Sequence, residues 1–238
     1  MRYVVEIKRW VHISELGSDQ WVLLIWNSIN NAVDDGRIQK PKQAIFDLGL
    51  SLTTHANMLP RISARIEGNA NKIYSQITNN LSEKYIFTKD TEVYSMIIDN
   101  DLKYELLADI NAFIFELNIV WELQKKLLQA ISCHLGKQIK AKELSSEIKN
   151  IIGESAWFPE LDSLRNFLMH HGAPYIAVDI TDGNDKPNLI IMLKKVEKFN
   201  DPKSYIKFES LKKIVSGFRD SRKLLQNHLM YLVDNAGK

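Results

Sequence analysis

Within the stretch LDSLRNFLMHHGAPY, Leu161 to Tyr175, Arg165, Asn166 and the adjacent His170 and His171 share one short amphipathic segment that Gly172 and Pro174 then end. Histidine moves protons near neutral pH, and arginine is a permanent cation whose planar fork fits a phosphate. Together they supply what phosphodiester cleavage without a metal requires: a group to move protons for an attacking 2′-OH and a leaving 5′-oxygen, and a fixed cation to offset charge at phosphorus. Both histidines fall in the last turn before Gly172, where the carbonyl ends of the backbone favour imidazolium, a proton donor. Five positions along a helix amount to about 140° of rotation, so Arg165 and His170 converge poorly within one helix. Pairing across a two-fold axis would bring them together. The competing arrangement has Arg165 paired with a neighbouring carboxylate such as Asp162, and a histidine that merely caps the helix end.

The elements that must hold this segment are read from apolar periodicity. YVVEI is a candidate short edge strand, and QWVLLIWNSINNAVDD has helical spacing up to a turn at Gly36. Pro41 suits the first turn of a second helix, running through QAIFDLGLSLTTHANML to a break or kink at Pro60. Arg61 to Leu81 forms a further, polar helical segment. Leu102 to Leu135 contains neither Gly nor Pro and is apolar at helical intervals throughout. It predicts a helix roughly 50 Å long that other helices must cover. A Lys- and Ser-rich linker, Lys137 to Lys149, leads to the motif helix. YIAVDI and NLIIMLKKV around TDGNDKP then predict a β-hairpin, and YIKFESLKKIVSGFRDSRKLLQNHLMYLVDN a closing helix. The expected architecture is mainly α, an up-and-down bundle with a small two-stranded hairpin inserted between the last two helices. One domain over residues 1–238 is expected, with 175–196 as the hairpin insertion.

Composition narrows the classes of function. The 238 residues are 45% hydrophobic and 25% charged, an ordinary globular balance, and 31 basic against 29 acidic residues leave a net charge of +2. That balance does not announce a nucleic-acid binder, so an anionic partner must be held by a local patch. The single cysteine, Cys133, excludes an intramolecular disulfide and offers no paired spacing for zinc; it reads as core packing. Charges at Glu6, Lys8 and Arg9 stand where a signal peptide needs its apolar region, and no run approaches a membrane span. A cytoplasmic protein without a membrane partner is expected.

The Arg165–His170 spacing, with four residues between, resembles the RX4-6H motif of the HEPN superfamily, all-α proteins of prokaryotic toxin, CRISPR and anti-phage systems. A second match, Arg222 and His228, lies on the closing helix. Three features favour the first. Arg165 is followed by Asn166, as in the RN form common in the superfamily; the segment ends HHG, like the HxG ending of many members; and it follows a long bundle helix late in the chain. His170 fits the catalytic position better than His171, because it matches the shorter spacing and precedes the HxG ending. The resemblance implies a HEPN-like bundle acting as a dimeric, metal-independent endoribonuclease with no cofactor, leaving 2′,3′-cyclic phosphate and 5′-OH ends. It also implies a setting in toxin–antitoxin or antiviral defence, with an antitoxin or defence-system protein as a possible partner. The alternative is a non-catalytic RNA-binding or protein-interaction module that keeps the fold. In members silenced by adenylylation a tyrosine stands two places after the histidine. Here that place is Gly172, and Tyr175 lies beyond Pro174, so control by a bound protein, a bound RNA or the hairpin is expected instead.

Two further sets of residues are candidates. Glu105, Asp109 and Glu116 recur on one face of the long helix, and Asp109 or Glu116 could orient Arg165 or the histidine, as acids on neighbouring helices do in some members of the superfamily. Among the basic clusters, Lys194, Lys195 and Lys198 at the hairpin exit, and Lys212, Arg219 and Arg222 on the closing helix, adjoin the motif helix in sequence. They are the candidates for tracking an RNA backbone.

Overall fold

The computed structural model describes residues 19–84, 98–170, 175–179, 188–192 and 205–237. The candidate strand YVVEI, the turn TDGNDKP, His171 and the cluster Lys194, Lys195 and Lys198 lie outside them. The described elements are α1 (Gln20–Asp34), α2 (Gln43–Lys84), α3 (Asn100–His134), α4 (Ala141–Ile152), α5 (Trp157–His170), β1 (Tyr175–Asp179), β2 (Asn188–Met192), β3 (Tyr205–Lys207) and α6 (Phe208–Asp234). The fold is mainly α, with a small antiparallel sheet late in the chain.

The long apolar run folds as expected. Asp99 caps α3 by accepting from the Asp101 and Leu102 amides, and the helix runs unbroken to His134. Its buried positions, from Leu102 through Phe113, Leu117 and Trp121 to Ile131, are spread around much of the helix because α2, α4, α5 and α6 all pack on it. α3 is thus the central post of the bundle.

Pro60 does not end the second helix: α2 continues through it from Gln43 to Lys84. Proline costs a helix one amide donor and crowds the preceding turn. The buried stripe of α2 nevertheless stays in phase across it, with Leu52 and Ala56 before and Ile62, Ile66, Ala70 and Ile73 after, and α2 packs chiefly against α3. Tertiary packing over that length outweighs one lost hydrogen bond.

The Lys- and Ser-rich linker is also a helix. Leu144, Ile148, Ile151 and Ile152 recur at helical spacing in α4, Ile148 is buried, and the Glu143 carboxylate accepts from the Lys140 amide at 3.4 Å. Four aliphatic residues on one face suffice to dock it against α3 and α6. Cys133 is another correction. It is exposed, because the last turn of α3 turns Ile131 and Ser132 inward instead.

The hairpin forms with Tyr175 opposite Met192 and Asp179 opposite Asn188. It acquires a third strand, since Tyr205–Lys207, which reads in the sequence as the start of the closing helix, pairs with Ile190–Met192. Aromatic and β-branched residues suit a strand there, and β2 becomes the middle of the sheet with Leu189 to Met192 buried. α6 starts directly from β3, so the sheet and the last helix are mechanically continuous.

Candidate functional site

α5 is fixed at its N-terminal end. The Trp157 indole donates to Ser221 Oγ at 2.8 Å, and its ring sits edge-on to Trp121, Phe158 and Phe218 at centroid distances of 5.3, 5.6 and 5.6 Å. Gly217 on α6 makes room for that ring: a Cβ there would meet Trp157 atoms at 2.5 and 2.8 Å. Leu161 and Leu164 continue the buried face, spaced four and three residues on. This leaves Arg165, Asn166, Met169 and His170 toward the outside.

Arg165 is held in a polar network. Its Nη1 donates to Asn118 Oδ1 on α3 at 3.1 Å, its Nη2 donates to Asn166 Oδ1 at 3.2 Å, and the same Nη2 lies 2.6 Å from Asp162 Oδ1. Asn166 closes the ring of contacts by donating from Nδ2 to Asp162 Oδ2 at 3.2 Å. The Arg165 side chain remains 31% exposed, and Nε has no partner among the described residues. The guanidinium is therefore oriented and still reachable from solvent.

His170 is the last residue of α5 and is exposed. It stands about 7.5 Å along the helix axis from Arg165 and on a different face, so one helix does not bring the two together. Around the site the surface is partly apolar. Met169 is 59% exposed, and Phe115 and Ile119, a turn apart on α3 either side of Asn118, are 36% and 37% exposed. Tyr175 heads β1 in extended backbone, outside the motif helix.

The two candidate supporting acids turn elsewhere. Asp109 is gripped by Arg65 of α2, whose Nε reaches both carboxylate oxygens at 3.0 and 3.2 Å and whose Nη2 donates to Oδ1 at 2.7 Å. That pairing raises the Arg65 pKa above its ordinary value. Glu116 pairs with His55 Nδ1, also on α2. Both carboxylates thus clamp α3 to α2. The residue of α3 that orients Arg165 is Asn118, two positions past Glu116 and so on a different side of the helix. Its signal in the sequence was a lone amide between Leu117 and Ile119 in the apolar run.

Of the basic candidates, Arg222 is a correction. It forms an ion pair with Asp19 at 2.6 Å, stacks over the Trp21 ring at 5.3 Å, and its carbonyl accepts from the Trp21 indole at 2.6 Å. Its charge is used to seat α1 on α6, which removes it from the set available to RNA and sets aside the second Arg–His match. Lys212 and Arg219 are exposed and line a cleft of about 540 Å³ between α2, β2 and the start of α6. Among the described residues, no group of three or more His, Cys, Asp or Glu side chains could hold a metal ion, and no helix is long and apolar enough to cross a membrane. No protein-family model matches the chain, and neither a curated protein nor a solved structure matches it.

Proposed function

We propose that the chain is a metal-independent endoribonuclease of HEPN type, working as a homodimer in which two α5 helices face each other. The observation that carries this reading is a half-exposed arginine, oriented by Asn118 from the neighbouring helix, on the same short helix as an exposed terminal histidine. In the reaction, the 2′-OH passes its proton to a solvent water and its oxygen attacks phosphorus. The P–O5′ bond breaks, and the leaving 5′-oxygen takes a proton from the imidazolium of His170. Arg165 offsets the charge that builds on the phosphoryl oxygens. The products are a 2′,3′-cyclic phosphate and a 5′-OH. Exposed Phe115, Ile119 and Met169 around the motif suit a surface that a second copy covers. A place in the cytoplasm in toxin–antitoxin or antiviral defence, opposite an antitoxin or other defence protein, follows from the same resemblance.

The test is cleavage of single-stranded RNA by purified protein in EDTA, with the product ends mapped and the mass measured by light scattering. Cyclic phosphate ends from a dimer are the expected result; intact RNA or a monomer at micromolar concentration counts against it. A second reading, a non-catalytic RNA-binding or protein-interaction module, is favoured by the Asp162 contact, because an arginine already neutralised by its own helix is less available to a phosphate.

A further inference from the structure

The cations Lys212 and Arg219 are candidates for following an RNA strand, yet both line a cleft of about 540 Å³ between α6, α2 and the sheet. The volume falls in the range of roughly 300–1,000 Å³ common to small-molecule sites. We infer that this cleft binds a nucleoside polyphosphate at a site separate from Arg165 and His170.

The chemistry of the lining carries the assignment. Lys212 and Arg219 are seven residues apart, which puts them on one face of α6 and about 10 Å apart along its axis, a span that a chain of two or three phosphates bridges. Neither has a carboxylate within ion-pair distance among the described residues, so both charges are available to a ligand. A bare anion site would carry only such groups. This cleft also holds Glu67 and Glu209, which repel a phosphate but accept hydrogen bonds from ribose hydroxyls. Tyr74 and Phe208, both half-buried, add ring faces for a base to stack on. The Tyr74 hydroxyl accepts from the Leu189 amide at 3.0 Å, which fixes the ring against β2 and leaves its own proton to donate. The lining thus offers cations for phosphates, acceptors for ribose hydroxyls and aromatic faces for a base, the three parts of a nucleotide. None of Asp162, Arg165, Asn166 or Asn118 lines the cleft. The site therefore stands or falls apart from the ribonuclease reading.

Isothermal titration calorimetry of the full chain with ATP, adenosine, inorganic triphosphate and a single-stranded RNA tests it, with folding of each variant checked by circular dichroism. ATP is expected to bind more tightly than either adenosine or triphosphate. Lys212→Glu and Arg219→Glu should each weaken it about tenfold or more, whereas Arg165→Ala leaves it unchanged. Lys212→Met, which removes the charge without reversing it, should fall between. No binding of ATP at millimolar concentration, equal affinity for inorganic triphosphate, or indifference to both charge reversals would overturn the inference. So would loss of RNA affinity in those variants with no nucleotide binding by the wild type, which would return the two cations to an RNA backbone.

Discussion

Asp162 stands one turn before Arg165, and its Oδ1 lies 2.6 Å from the guanidinium. A phosphate bound by Arg165 has to compete with that carboxylate. Asp162→Asn is therefore expected to tighten RNA binding by about threefold at low salt, while changing stability by no more than about 1 kcal/mol, as for other half-exposed ion pairs. Fluorescence anisotropy with a labelled RNA and a urea titration measure the two. Weaker RNA binding in this variant would mean that Asp162 orients the arginine rather than competing for it.

Asn118→Ala isolates the other contact. It removes the oxygen that holds Nη1 without touching charge, so Arg165 should gain freedom and cleavage should fall by about tenfold or more with RNA affinity nearly unchanged. Arg165→Ala should abolish cleavage with the fold intact. Unaltered rates in both variants would dismiss the arginine from the chemistry.

The histidines differ in their expected roles. His170→Ala should abolish cleavage and cost at most about 1–2 kcal/mol, since a polar residue at an exposed helix end supports little else. His171→Ala should reduce cleavage less. Mixing Arg165→Ala with His170→Ala subunits should restore activity through one composite site. Reversal of the histidine ranking would move the catalytic position by one residue.

Burial holds the His228 imidazole below its usual pKa of 6.5, with Lys137 adding to the effect and Glu147 opposing it. The unfolded chain then takes up this proton more readily than the folded one. The contribution of His228 to stability is complete above 6.5 and is lost as the pH falls from there toward the depressed folded value. Urea midpoints between about pH 5 and about pH 7.5 should rise less steeply for His228→Gln than for wild type. Glu147→Gln should make the acid-side loss greater.

What the sequence disclosed depended on how far the physics was local. The α3 run was legible because its apolar spacing is unbroken, and the Arg165–Asp162 pair because three residues on a helix are neighbours. Asn118 is 47 positions from Arg165, and no local rule joins them. Pro60 argued for a break since its cost is written at one position, whereas the offsetting packing on α3 is spread over many. The six lysines and serines from Lys137 to Lys149 hid the docking face of α4. The shared face of Asp109 and Glu116 could be read from their spacing; that α2 would supply Arg65 and His55 as partners could not.

Trp157 and Gly217 invite a paired test. Gly217→Ala forces a methyl into the indole ring and should cost about 1–3 kcal/mol by overpacking. Gly68→Ala, in open space on α2, should instead stabilise by about 0.5–1 kcal/mol. Thermal melts decide both signs.

The same Trp157 contact makes α5 a lever. Its N-terminal end is pinned by an indole wedged over Gly217 and bonded to Ser221, while further along Arg165 is tied to α3 by its hydrogen bond to Asn118. On its opposite side α3 is held to α2 by Arg65 and His55. A partner that presses on Met169 or His170 would therefore load α5 at the end remote from Trp157, and the bond that aims the arginine lies between the two.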